Sequence, residues 1–147
     1  MSKFEIPNAK DAKVTQSAQS EEILQLDCTR EIIGAVVEVQ RVLGVGLLES
    51  AYAAALEIEF AHAGLNFRRE VPIYGRYKSQ DIGLLYRADF IVESSVVLEL
   101  KALEATSEAH RAQLLSYLRV SGHKLGLLIN FHSFPVSKGI HRLVNGL

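Results

Sequence analysis

Residues 86–102 read YRADFIVESSVVLELKA, and they decide the fold. Two runs rich in Ile, Val, Phe and Leu flank a short polar break, Glu93-Ser94-Ser95. That pattern predicts a β-hairpin with a short polar connection. If Val92 opposes Val96, then Asp89 faces Glu99 and Arg87 faces Lys101. Side chains alternate along a strand, so these four charges share one face. Tyr86, Ala88, Phe90, Val92, Leu98 and Leu100 share the other. A one-residue slip would carry Asp89 to the apolar side.

Two carboxylates placed opposite each other sit roughly 4.5–5.5 Å apart at Cβ and destabilise the pair. Two arrangements relieve this. Asp89 can pair diagonally with Lys101 and Glu99 with Arg87, giving a self-neutralising quartet. Alternatively, a divalent cation can lie between Asp89 and Glu99, with Lys101 beside it. Hard cations such as magnesium take carboxylate and carbonyl oxygens. The hairpin alone leaves both open.

The chain has 147 residues, of which 48% are hydrophobic, enough to bury the core of a single domain. Its apolar runs fall short of the ~18 residues that span a bilayer, and MSKFEIPNAK lacks a signal core. Cys28 is the only cysteine, which excludes an internal disulfide and a cysteine-based zinc site. A cytoplasmic location is the expectation. The net charge of −1 supplies no global basic field, so a nucleic-acid partner would have to be met by a local patch.

Working outward, residues 1–22 are polar and aperiodic and read as a mobile arm, with one domain over 23–147. Residues 27–43 suit a helix capped by Asp27 or Thr29, with Ile32, Ile33, Val36, Val37 and Leu43 on its apolar side. Gly44-Val45-Gly46 breaks it. Residues 47–63 form a second helix with Glu49 in its first turn and Tyr52 on the same face; Gly64 ends it. A carboxylate in a first turn is favoured by the helix dipole whatever else it does.

Residues 67–77, FRREVPIYGRY, read as a strand that Pro72 places at an edge or a bulge. Arg68, Arg69, Arg76 and Lys78 are its phosphate-contacting candidates, although a solvated strand face explains them too. Residues 79–82 turn into the hairpin. Residues 106–121 form a third helix, capped by Thr106 or Ser107 and ended by Gly122. His110, Gln113 and Tyr117 make one polar stripe on it. KLGLLINF, residues 124–131, is a buried strand, and residues 138–145 make an edge strand. The order is α-α-β-β-β-α-β-β: an α/β fold with a mixed central sheet flanked by helices.

Asp89, then Glu99-Leu100-Lys101, after a helix carrying Glu49, resembles the PD-(D/E)XK nuclease superfamily. The D…ExK string is common by chance. More specific is Gly46-Leu47-Leu48-Glu49-Ser50-Ala51-Tyr52, which matches the GxxExxY signature. YRADFIVE, VLELKA, the His110 to Leu118 helix and GLLINF also fit the pattern of the GxxExxY protein family. The chain departs from it in Gly44-Val45-Gly46, where Gly-Pro-Gly is usual, and in Gln40, where histidine often stands.

The resemblance implies a restriction-endonuclease-like core and a metal-dependent nuclease, endo- or exonucleolytic, acting foremost on DNA. Asp89, Glu99 and the Leu100 carbonyl would hold magnesium or manganese, with Glu49 completing the acidic shell. Lys101 would orient water, and Gln113 would stand near the site. Tyr52, His110 and Tyr117 are accessory candidates. A homodimer is left open, and no membrane partner is implied. The competing expectation is a non-catalytic nucleic-acid- or protein-binding module that keeps the fold; a third is a scaffold whose charged quartet is only structural.

Overall fold

The computed structural model describes residues 28–146; the arm expected over residues 1–22 and the Asp27 cap lie outside them. Helix α1 covers residues 28–43 and α2 covers Glu49–His62. Strands β1 (Phe67–Tyr77), β2 (Gln80–Val92) and β3 (Val96–Lys101) follow, then α3 (Glu108–Ser121). Strand β4 (Leu125–Asn130), a 3-10 turn (Val136–Gly139) and β5 (Ile140–Val144) complete the order. The sheet runs β1-β2-β3-β4-β5, antiparallel except for the β3–β4 pair, which α3 joins as a parallel crossover. The mixed sheet with flanking helices is the architecture that the hydrophobic pattern predicts. Among the described residues, no helix is long and apolar enough to cross a membrane.

Three layers result. Ile32, Val36 and Val39 of α1 and Tyr52, Leu56 and Phe60 of α2 bury one face of the sheet, against Phe90, Leu98, Leu100, Leu127 and Ile129. Leu114 and Leu118 of α3 cover the other, against Val71, Tyr86, Ala88, Ile91, Val97 and Leu128. Gly126 lets α3 sit close: a Cβ there would come within 3.2 Å of both Leu114 and Leu118. Helix α3 starts at a capping box, in which Ser107 and His110 each serve the other's backbone, and it stops at left-handed Gly122 (φ 75°).

Several local expectations need correction. Thr29 lies inside α1 rather than capping it from outside. Val37 and Leu43 are exposed, and Ala35 and Val39 take their places on the buried side. The turn expected over 79–82 is tighter: Lys78 and Ser79, both at positive φ, make it, and β2 begins at Gln80. Proline does fall on an edge, because β1 borders the sheet.

The largest correction concerns faces. Val92 does pair with Val96. Yet Tyr86 and Ala88 do not share a face with Phe90; they pack with Ile91 and Val97 under α3. The cause lies in β1. Glu70 adopts a left-handed conformation (φ 52°) between the pairs Arg69–Phe90 and Val71–Ala88. Both strands change the layer they face at this point. Phe67 packs with the α1/α2 layer and Ile73 with the α3 layer.

Candidate metal centre

The turnover falls beside Asp89, and there the sheet opens. The β2–β3 ladder has three pairs and stops at Phe90–Leu98. Beyond it β2 stays with β1 and β3 stays with β4. The Leu100 amide would face the gap unpaired, but it donates to Asp89 Oδ2 at 2.7 Å. Asp89's own amide faces the Glu99 carboxylate and favours its charged form. The Asp89 side chain thus takes the place of the next ladder rung and fixes that acid at the opening.

Of the two arrangements the hairpin left open, the ion-pair quartet does not form among the described residues. Arg87 lies opposite Pro72 and is exposed. Among the described residues, no ion pair joins Asp89 or Glu99 to Arg87 or Lys101. Lys101 acts on both acids only through its field. Its backbone is fixed on both sides: it pairs with Asn130, and its carbonyl accepts from the Phe131 amide at 2.9 Å.

The two acids are therefore undercompensated. Burial, and then the Asp89 charge, push the Glu99 carboxyl up to about 8. Burial also raises Asp89, against the Leu100 amide, with Glu49 adding to the rise. Glu99 Oε1 is buried without a hydrogen-bond partner. Such a group costs free energy unless something compensates it. A cation supplies what the pair lacks, and the donors are all oxygens, so the residues fit a hard divalent ion. Among the described residues, no three side chains of His, Cys, Asp or Glu form a ready-made metal cluster. The candidate donors are thus two carboxylates plus main chain, with Glu49 on the cavity wall.

Glu49 opens α2 and, with Arg69, Glu70, Asp89 and Leu100, lines a cavity of about 200 Å³ over the gap. Tyr52 sits lower. Its hydroxyl donates to the Gly44 carbonyl at 2.8 Å and accepts the Leu47 amide at 3.2 Å, and its ring stacks on Phe131 at 4.4 Å. It therefore pins the loop that delivers Glu49, without lining the cavity. Gln113 is exposed and lies near the Tyr117 hydroxyl, which burial and then the Glu99 charge push up. Tyr117 stacks on Tyr86 at 3.6 Å beneath Glu99. The His110 ring accepts the Ser107 amide at 3.0 Å, so its place is the α3 cap.

The basic candidates do not converge. Arg69 reaches α2, where it pairs with Glu57 at 2.9 Å. Arg68 points to the other layer, near His123. Arg76 and Lys78 lie at the far end of the β1–β2 ribbon. Cys28 is buried, its thiol pushed up to about 11 by that burial, so it is no nucleophile.

Two side chains escaped the sequence reading. Gln40 is buried; it donates to the Phe131 and Ser133 carbonyls at 3.0 and 2.6 Å and accepts the Val136 amide at 2.8 Å. Asn130 is buried too; it accepts the Leu103 amide at 3.1 Å and donates to the Leu103 carbonyl at 2.9 Å. Together they fix the segments that follow β4 and β3. The signals were slight: the buried strand leading to Asn130, and the departure from the family pattern at Gln40.

An opened β2–β3 pair carrying Asp89 and Glu99-Leu100-Lys101, with a helix-borne acid above, is the core of one nuclease class. A family model of the PD-(D/E)XK nuclease superfamily matches residues 26–143, and the chain belongs to that superfamily. Nucleases of this kind generally use divalent metal ions and act on nucleic acid. Neither curated proteins nor solved structures yield a match.

Proposed function

We propose that this protein is a metal-dependent nuclease that hydrolyses phosphodiester bonds in DNA, and that within the superfamily it belongs to the GxxExxY group. The observation that carries the proposal is the buried, unpartnered Glu99 Oε1 near a second, half-buried acid, where the β2–β3 ladder ends. The GLLESAY stretch supports the narrower grouping, since Tyr52 fixes the loop before Glu49.

Asp89, Glu99 and the Leu100 carbonyl would hold magnesium or manganese, with Glu49 acting on the same ion directly or through water. A bound divalent ion stabilises charge on the attacking and leaving oxygens of a phosphodiester. The chain's own groups do the rest. Lys101 holds the attacking water by its ammonium and offsets negative charge on the phosphorus oxygens. Gln113 acts through the Tyr117 hydroxyl to fix the α3 side of the site. Arg69, held by Glu57 at the cavity wall, meets a substrate phosphate. The working compartment under this reading is the cytoplasm, and a homodimer is compatible with it.

The test is incubation of labelled DNA and RNA structures with magnesium, manganese or chelator. Cleavage of DNA that needs metal and disappears in Lys101→Met supports the proposal. Binding without cleavage under every metal condition turns the account toward a nucleic-acid-binding module.

A further inference from the structure

The β1–β2 pair outruns the rest of the sheet. Strand β3 leaves β2 at Phe90, and the stretch from Tyr74 to Leu85 continues as a two-stranded ribbon. Its large apolar side chains stand in solvent: Tyr74 is 67% exposed, Tyr77 62%, Ile82 54% and Leu84 46%. A two-stranded ribbon in water is marginal, and leaving its apolar groups uncovered does not help it. Exposed aromatic and aliphatic side chains gathered on one short ribbon, on both of its faces, point to an interaction site.

The ribbon's own geometry is well defined. Lys78 and Ser79 close a tight turn at positive φ. Register shifts after Ile73 and after Gly75 leave two residues of β2 unpaired and strengthen the twist. Leu85 folds over Gly75, where any Cβ would collide with it. The paired residues Tyr74 and Leu84 share one face, and Tyr77 lies on the other. Arg76 and Lys78 flank Tyr77; the Lys78 ammonium lies 5.4 Å from the Tyr77 ring centre. The acid of this stretch, Asp81, is itself engaged by Arg76 at 3.7 Å.

We propose that this ribbon is a substrate arm that stacks Tyr74 and Tyr77 on unpaired bases several nucleotides from the cleaved phosphodiester. The proposal rests on the nuclease reading and names the substrate class: nucleic acid with a single-stranded segment that extends from the cut along the arm. Three features select this occupant. Exposed rings next to cations are what base stacking along a phosphate chain requires. Groove readers of duplex DNA are far more basic than a ribbon with two cations. Pairing with the edge of a second copy is opposed by Pro72, Arg76 and Lys78 on the β1 edge.

Continuity with the site sets the reach. The same strand carries Asp89 and Leu84, so at roughly 3.3 Å per residue the arm spans about 17 to 33 Å from the acids. That corresponds to on the order of 5–10 nucleotides of a stacked strand.

The experiment compares a fluorescein-labelled blunt DNA duplex with the same duplex carrying an unpaired overhang longer than the arm. Binding is read by anisotropy in chelator, cleavage in magnesium. Wild type should bind the overhang substrate more tightly. Tyr74→Ser with Tyr77→Ser should lose about tenfold or more on that substrate, the loss of one to two stacked bases. It should match wild type on the blunt duplex and keep its melting temperature, because both rings are exposed. Equal affinity of wild type for the two substrates, or an unchanged variant, overturns the arm. So does a dimer that the variant converts to monomer in sedimentation, which would make a second copy the occupant. If wild type cuts DNA and the variant keeps its KM, the arm alone falls. If wild type neither binds nor cuts nucleic acid, the nuclease reading falls and takes the arm with it.

Discussion

Asp89 Oδ2 accepts the Leu100 amide at 2.7 Å, where the next rung of the β2–β3 ladder would have been. One carboxylate therefore closes the sheet and faces the candidate metal position. The two duties separate by substitution. Asp89→Ala leaves a buried amide unsatisfied, at a cost of about 1–3 kcal/mol, and abolishes cleavage. Asp89→Asn keeps an acceptor for Leu100 and removes the charge. It should melt within a few degrees of wild type and be equally inactive. Melting curves and a cleavage assay on the two variants check this.

Lys101 offers the cleanest loss of activity. Among the described residues its ammonium forms no contact ion pair, and its backbone is held by Asn130 and Phe131. Lys101→Met should keep the fold and reduce the cleavage rate by ~10²–10⁴, the usual worth of a positioned group in proton transfer. Single-turnover kinetics at saturating metal provide the measure.

Stability should depend on pH in an unusual direction. Unfolded, both acids titrate near 4. Folded and metal-free, Glu99 holds its proton to about 8, and Asp89 is raised as well, each mainly by burial. Between about pH 4.5 and 8 the folded state then binds more protons than the unfolded chain. Stability is greatest at the acid end of that window and declines as pH rises through it. Glu99→Gln should flatten the decline. Metal, which needs ionised ligands, should stabilise wild type more at pH 8 than at pH 5.5. Thermal melts across pH, with and without manganese, give all three results.

Gln40 makes a prediction remote from the chemistry. Its amide bridges three backbone groups of the 131–136 segment, against which Tyr52 stacks. Gln40→Ala should cost about 2–4 kcal/mol, because buried partners lose their bonds. The melting temperature should fall by roughly 5–15 °C. Gln40→Glu should fare nearly as badly, since it cannot donate to the Phe131 and Ser133 carbonyls. Calorimetry of the two variants decides it.

The central hairpin was legible because its apolar pattern admits one register, Val92 on Val96, and the polar connection allows the turn. Strand β1 and the parallel β4 were legible for similar reasons: a proline at an edge, and an unbroken apolar run buried on both faces. The faces of Tyr86 and Ala88 were not. They depend on a left-handed Glu70, and glutamate does not announce that conformation as glycine or asparagine would. Gln40 was hidden differently: its partners lie more than 90 residues away along the chain. The structure brings Asp89 and Glu99 near each other, but at a gap between strands rather than on a shared face. Periodicity cannot show where a ladder stops.

The central claim is that Asp89 and Glu99 form a divalent metal site. The most direct measurement is the melting temperature of wild type and Asp89→Asn with manganese or with chelator. At about tenfold excess over Kd, a ligand that binds only the folded state adds roughly 1.4 kcal/mol. Wild type should then melt on the order of 3–5 °C higher with manganese. Asp89→Asn should show no shift. A wild-type protein that is folded and indifferent to millimolar manganese would contradict the claim.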